Sequence, residues 1–293
     1  MWLTRLPRAH IPAVAALVAH AEQADGVAPL NEAAHLALTD DSAHHLLYER
    51  DGRLLGYLQW QPGPGSAQLV VAPDARRQGI GTALADALRE FASERIWAFG
   101  DTQAAQRFAA GRGLVKVREL ELLERPLTRT PASPAQPSED AASPPASLHV
   151  RTFRPDDADD LLAVNAAAFA HHPEQGALDR AGLAARMAEP WFDPDGLFLG
   201  FDDEGLAGFH WTKTHDQATG EVYVIGVAPQ AQGRGYGRTL LDAGLRHLAA
   251  AGQVRAILYV DRADSVALEM YVSAGFTQAS RDVLYEPHRG GHQ

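Results

Sequence analysis

The chain contains no cysteine. That absence removes disulfides, thiolate metal sites and a cysteine nucleophile together. It suits a reducing cytoplasm, where the protein is expected to work, and no metal is expected in it. Surplus basic charge is missing too. Lys and Arg number 26 against 37 Asp and Glu, a formal net charge of -11, which argues against nucleic acid as the main partner because few cations are spare to replace phosphate counterions. No apolar run approaches the ~20 residues that span a bilayer, so no membrane partner is expected. The nearest thing to a targeting segment is Arg5 and Arg8 ahead of the apolar stretch Ile11 to Ala21, which has the outline of a short signal peptide.

What is present is ordinary globular material, 46% apolar and 22% charged, and 293 residues fit two domains of about 130–150 residues each. Between them runs a stretch from Leu127 to Ser147 rich in Pro, Ser and Ala. It has no apolar period with which to build a core, so it reads as a linker. The expected boundaries are residues 1–128, a linker over 129–147, and residues 148–293.

The two halves repeat one pattern. Each opens on a short strand-like piece, a proline and an amphipathic helix: Trp2 to Pro7 with IPAVAALVAHA, then Val150 to Pro155 with DDADDLLAVNAAAFA. The apparent signal peptide is therefore better read as the first helix of a folded domain. Hairpins are expected at Leu46–Glu49 with Leu54–Trp60 across Asp51-Gly52, and at Leu197–Phe201 with Gly205–Trp211 across an acidic turn. A strand, a glycine-rich loop and a helix follow, LVVAPDARRQGIGTALADALREFA in the first half and VIGVAPQAQGRGYGRTLLDAGLRHLAAAG in the second. Placing Val71 on Val227 puts Gly79 and Gly81 on Gly235 and Gly237. A repeat this long means duplicated domains rather than a solenoid.

The glycines let backbone N–H groups turn toward a ligand without Cβ interference. The helix behind them adds unpaired donors and a partial positive charge, making a phosphate cradle to which Arg234 or Arg238 adds a full charge. The spacing fits neither the dinucleotide fingerprint nor a Walker loop. The run Val-x-Pro-x-x-(Gln/Arg)-x-x-Gly-x-Gly before a helix, with Tyr271-Val-Ser-Ala-Gly275-Phe276 downstream, resembles the GCN5-related N-acetyltransferases over nearly all of both halves.

The resemblance implies two tandem α/β (α+β) domains, each a mixed, mostly antiparallel sheet flanked by helices and splayed near Val227 and Val71. It implies acetyl-CoA as acetyl donor and a small-molecule amine as acceptor. The acetyl-CoA contacts it implies are Leu69, Val70, Val71, Arg77, Gln78, Gly79, Ile80, Gly81 and Thr82 in the first copy. In the second they are Ile225, Gly226, Val227, Gln232, Gly233, Arg234, Gly235, Tyr236, Gly237 and Arg238. Tyr271 stands where the family protonates the departing CoA sulfur, and Glu221, six residues before Val227, is the expected general base.

The first copy has Gly65 and Phe108 at the matching positions. It keeps a cradle compatible with CoA but lacks both the acid and the base, so catalysis is expected of the second copy. Stretches such as Phe209-His-Trp-Thr-Lys213-x-His215 and Gly220-Glu-Val-Tyr-Val are further similar to a tandem-domain branch of the family. Its members acetylate the cysteinyl amine of a cysteine–glucosamine–inositol conjugate. By that similarity Glu174, Lys213, Glu221 and Tyr259 contact the substrate, and Glu32 reaches it from the first domain. An α-amino group titrates near pH 8, so a base at pH 7 has only about 1.4 kcal/mol to supply in deprotonation. Asp264 departs from the family's usual Asn, and a carboxylate beside CoA phosphates would be unfavourable. Another small-amine acetyltransferase, such as one acting on an aminoglycoside-like sugar, and a non-catalytic CoA sensor stand as alternatives. Duplication can replace a homodimer, so a monomer is expected.

Overall fold

A computed structural model describes residues 1–128, 148–171 and 173–288; the linker expected over 129–147 lies outside them. In chain order the elements are α1 (Ile11–Asp25), α2 (Glu32–Leu36), β1 (His44–Arg50), β2 (Arg53–Gln61), β3 (Ser66–Val71), α3 (Ile80–Phe91), β4 (Ile96–Ala98), α4 (Gln103–Gly111) and β5 (Leu114–Pro126). Then come β6 (His149–Thr152), α5 (Ala158–Ala168), α6 (Pro173–Gly176), α7 (Arg180–Met187), β7 (Leu197–Asp202), β8 (Gly205–Thr214) and β9 (Thr219–Val227). The chain finishes with α8 (Tyr236–Ala250), β10 (Arg255–Asp261), α9 (Ser265–Ser273) and β11 (Thr277–Pro287).

The chain divides into two compact units. The first holds Met1–Glu121, Asp261–Ala263 and Ser280–Gln293, and the second holds Leu122–Val260 and Asp264–Ala279. The units are therefore not the contiguous halves on either side of the linker. The end of β5 belongs to the second unit, where Leu123 is buried with Val222, Leu241 and Phe276 and Leu127 N–H donates to Val254 O at 2.8 Å. The end of β11 belongs to the first, pairing antiparallel with β4 through Val283↔Ala98 to Tyr285↔Ile96.

Within the first unit the strand order β1-β2-β3-β4-β11 is antiparallel except at β3–β4. The hairpin between β1 and β2 turns on Asp51 and Gly52, at φ 52° and 73°. Two successive positive φ values match the right-handed twist of the strands. α1 buries Val14, Leu17, Val18 and Ala21, an i, i+3, i+4, i+7 stripe, and so the stretch resembling a signal peptide is core. The strand expected at Trp2 to Pro7 reduces to a single bridge, Leu3 to His45, because Pro7 and the 3-10 turn at Arg8–His10 end the extended run.

The second unit repeats the plan in the order β5-β10-β9-β8-β7-β6, parallel at β9–β10 and antiparallel from β9 to β6. Phe209, Trp211 and Leu199 form one core, while Leu241, Leu245 and Leu248 of α8 build another against Val222 and Leu258. His210, on β8, points the other way from Trp211. It is fully buried, with Nδ1 2.8 Å from Leu240 O. Gly244 on α8 has no alternative, since a Cβ there would run into the His210 ring.

Burial pushes the His210 imidazole down to about 4, below the ~6.5 of an unfolded histidine. Its stability contribution is therefore complete above about pH 6.5 and is lost as pH falls toward 4, on the order of 3 kcal/mol. Urea unfolding across that interval should show His210→Gln losing less stability than the parent protein; an equal loss would exclude His210 as the source.

Candidate active site

In the second unit β9 gives way to a 3-10 turn at Pro229–Ala231, and the chain returns through residues 232–235 into α8. Gly233 and Gly235 take φ of 76° and 80°, and no side chain caps the α8 N-terminus. The first amides of the helix are thus left for an anion, with the positive end of the dipole behind them. The first unit matches this shape: Gly79 has φ 81° and caps α3 without a side-chain partner. A Cβ at Gly79 or Gly233 would meet nothing within 4 Å, so both cradles are open. Arg77 occupies the place of Gly233 and still adopts φ 62°, a strained backbone for a residue with a side chain.

The implied donor contacts fall into three adjoining places in each unit. Ile225, Gly226 and Val227 end β9, Gln232 to Gly235 form the loop, and Tyr236, Gly237 and Arg238 make the first turn of α8. Leu69, Val70 and Val71 likewise end β3, Arg77, Gln78 and Gly79 form the loop, and Ile80, Gly81 and Thr82 open α3. Tyr236 is buried, so what it offers a phosphate is its main-chain N–H. Arg234 pairs with Asp202 at 3.4 Å and Arg238 with Asp242 at 3.1 Å. Such partly exposed pairs are weak and can yield to a phosphate.

Gly235→Val would force a β-branched side chain into a positive φ and distort the cradle. Loss of even one charge-assisted amide contact, worth about 1.5–3 kcal/mol, should raise the KM for acetyl-CoA by about tenfold or more. Initial rates against acetyl-CoA concentration check this, and an unchanged KM would remove the loop from the binding site.

Next to the loop the sheet opens. β9 and β10 pair only from Thr219↔Arg255 to Glu221↔Ile257, after which their main-chain groups are released from each other over Ile225 to Val227. That splay is where a pantetheine arm can lie along a strand. Tyr259, two residues beyond the last paired position, falls on the same face as Ile257 and Glu221 and is half exposed.

Glu221 owes its position to a longer hairpin. In the first unit the β2–β3 ladder closes at Gln61↔Ser66, and Gly65 lies in the turn at φ 60°. In the second, a register shift at Trp211/Thr212 is followed by three further pairs, Thr212↔Val222, Lys213↔Glu221 and Thr214↔Gly220. His215 N–H then donates to Thr219 O at 3.0 Å. Asp216 Oδ1 closes the tip by accepting from Ala218 and Thr219 N–H, both at 2.7 Å.

Cross-strand partners share a face, so Lys213 and Glu221 stand side by side, both buried. Lys213 is one of two lysines in the sequence, and its ammonium lies 4.9 Å from the Trp191 ring centroid and 5.4 Å from that of Tyr223. His215 Nε2 is 2.6 Å from Glu221 Oε2.

Tyr271 lies on α9, buried, with its ring 5.9 Å from Phe276 in a T-shaped contact. Burial pushes its phenol well above the usual range, and the Asp264 carboxylate adds to the effect, so the proton stays on oxygen at neutral pH. α9 runs beside the loop: Met270 Sδ would be 3.1 Å from a Cβ at Gly237. Asp264 caps this helix, accepting from Ala267 N–H at 3.0 Å, which accounts for an acid at that position without any contact to phosphate.

A sequence model of the acetyltransferase (GNAT) family matches the chain twice, over residues 14–114 and 165–276. The chain belongs to the GNAT acetyltransferase family. It is 46% identical to a mycothiol acetyltransferase of Thermomonospora curvata and 44% identical to one of Catenulispora acidiphila, in both cases over 95% of each chain. It is also 44% identical to that of Mycolicibacterium smegmatis over 97% of each. Among solved structures it is similar to a GCN5-related N-acetyltransferase from Sphaerobacter thermophilus, with TM-score 0.71 and 23% identity over 97% of this chain and 94% of that one. A tandem GNAT protein from the clavulanic acid pathway gives TM-score 0.65 and 20% identity over 97% and 96%. These two likenesses speak for the fold alone.

As a GNAT protein the chain uses acetyl-CoA as donor, and its two copies differ where the chemistry would be. Phe108 lies against the first copy's α3 N-terminus, 3.4 Å from where a Cβ on Gly81 would stand, and has no hydroxyl to give a proton. Glu32 opens α2 in the first unit, N-capped by Asn31 at 2.9 Å from Ala34 N–H. Glu174 lies on α6, its side chain outside the described residues; the segment is held by Asn165, whose amide donates to Gln175 O at 2.7 Å. Three contacts had no role in the sequence reading: His215 on Glu221, and Trp191 and Tyr223 around Lys213. His215 alone left a usable trace, two positions after Lys213 on the same strand edge. Among the described residues no group of His, Asp and Glu could hold a metal ion, and no helix is long and apolar enough to cross a membrane.

Proposed function

We infer that this chain transfers acetyl from acetyl-CoA to the cysteinyl amine of 1D-myo-inositol 2-(L-cysteinylamino)-2-deoxy-α-D-glucopyranoside, giving mycothiol and CoA. The observation that carries the reading is the lengthened β8–β9 hairpin, bearing Lys213, His215 and Glu221. It sits in a chain that matches mycothiol acetyltransferases almost end to end.

The second unit supplies the chemistry. Glu221 takes a proton from the substrate ammonium, and the freed nitrogen attacks the acetyl carbonyl carbon. Main-chain groups released by the splay at Ile225 to Val227 are available to the developing oxyanion. The C–S bond then breaks as Tyr271 gives its proton to sulfur, and the surplus proton on the acylated nitrogen passes to the phenolate, leaving the neutral amide and restoring the acid. Carboxylates of Glu174 and Glu221 suit an ammonium, while Lys213 and Tyr259 suit the hydroxyls of the sugar and inositol. The first copy keeps an open cradle and takes no part in proton transfer. A monomer working in the cytoplasm completes the proposal.

Thiol release from acetyl-CoA should be fast with the cysteinyl pseudodisaccharide and slow with a panel of other amines that includes aminoglycosides. Preference for an aminoglycoside would replace this substrate with the rival one, and no turnover with any amine would favour a CoA-binding role.

A further inference from the structure

We propose that His215 is a positioning residue for Glu221, holding one carboxylate oxygen so that the other faces the amine. The proposal rests on the reading of Glu221 as base and extends it to a residue given no role above. His215 Nε2 lies 2.6 Å from Glu221 Oε2, with the imidazole 37% and the carboxylate 10% exposed. Carboxylate oxygens so little exposed need hydrogen-bond partners, and a glutamate has three side-chain torsions to fix before it can act as a base.

The imidazole is a suitable anchor because its own backbone is fixed. His215 N–H is tied to Thr219 O across the hairpin, and Asp216 closes the tip from within. The first copy offers an internal control. Its hairpin stops at Gln61↔Ser66, and it has neither the base nor the anchor. The arrangement follows a general logic in which a third group orients the base that serves the reacting nitrogen. Lys213, across the ladder from Glu221, lies over the rings of Trp191 and Tyr223.

The test is a double-mutant cycle on the full-length protein with the cysteinyl substrate. His215→Ala should lower kcat about ten- to hundredfold, part of the ~10²–10⁴ available to a positioned base, while the KM for acetyl-CoA stays near normal. His215→Gln, whose amide N–H can replace Nε2–H, should recover most of the loss. In a Glu221→Gln background, His215→Ala should cost almost nothing more, because residues acting as a unit are not additive. If Glu221→Gln itself retains normal kcat, the base assignment falls and the positioning role with it. If Glu221→Gln is impaired but His215→Ala is normal, or its loss is fully additive, the proposal alone is overturned. A contact that only stiffens the hairpin would lower the melting temperature of both His215 variants alike without rescue by Gln, and that result too would overturn it.

Discussion

Tyr271→Phe is expected to lower kcat by about two to four orders of magnitude, the usual span for a positioned acid, and to leave the KM for acetyl-CoA within about twofold. The phenol is buried against Phe276, and removing one oxygen leaves that packing intact, so folding should be little affected. Its raised pKa does not disqualify it as an acid. The thiolate forming beside it would share the same water-poor surroundings, which raise the basicity of sulfur as well. Proton transfer can therefore accompany C–S cleavage rather than precede it. Steady-state kinetics in both substrates, with a melting curve as control, read the outcome. A variant turning over at the parental rate would mean that solvent or another group protonates the sulfur.

Deleting the chain from Ser280 onward should unfold the first unit, although nearly all of that unit's sequence remains. The deletion removes Val283 and Tyr285, buried with Ala109 and Leu114, and Leu284, also buried. It also removes the Asp282 carboxylate that accepts from Gly100 N–H at 2.8 Å and the Tyr285 hydroxyl that donates to Asp101 at 2.7 Å. Truncating one large buried side chain costs about 2–5 kcal/mol, against a total stability of about 5–15 kcal/mol, so losing three exceeds what the unit can sustain. β4 would also be left as an unpaired edge, a template for aggregation. Limited proteolysis should then cut within residues 1–121 at a protease level that spares the parent. Equal resistance would show that β11 is dispensable to the first unit.

The elements of both units were legible because their signals are local. Asp51-Gly52 announces a turn, the stripe from Val14 to Ala21 announces a helix face, and the glycines at 79 and 235 announce a loop that needs positive φ. The partners of β5 and β11 were not legible. A run such as Thr277–Pro287 reads as a strand whichever edge it joins, and nothing within it records that Val283 will face Ala98 rather than a neighbour in its own half.

Glu221 and Tyr271 stand out as candidates when the two copies are compared. The reason for the difference does not. A fixed offset places Gly65 under Glu221, but only the register shift at Trp211/Thr212 shows that one lies in a turn and the other on a ladder. Asp264 carried a capping signal of its own, an acid three residues before the N–H it accepts.

The closing of the first unit by residues near the end of the chain also sets a clock on its biosynthesis. Roughly 160 residues separate Glu121 from Ser280, and at about 5–20 residues per second a ribosome needs roughly 8 to 30 seconds to make them. Throughout that interval the nascent first unit has α1, α3 and the β1–β3 hairpins in hand, yet must wait for the strand that covers Ala98 and Leu114. A translational pause anywhere in the second half therefore prolongs the exposure of the first, and it is the arrival of β11 that lets the earlier-made unit close.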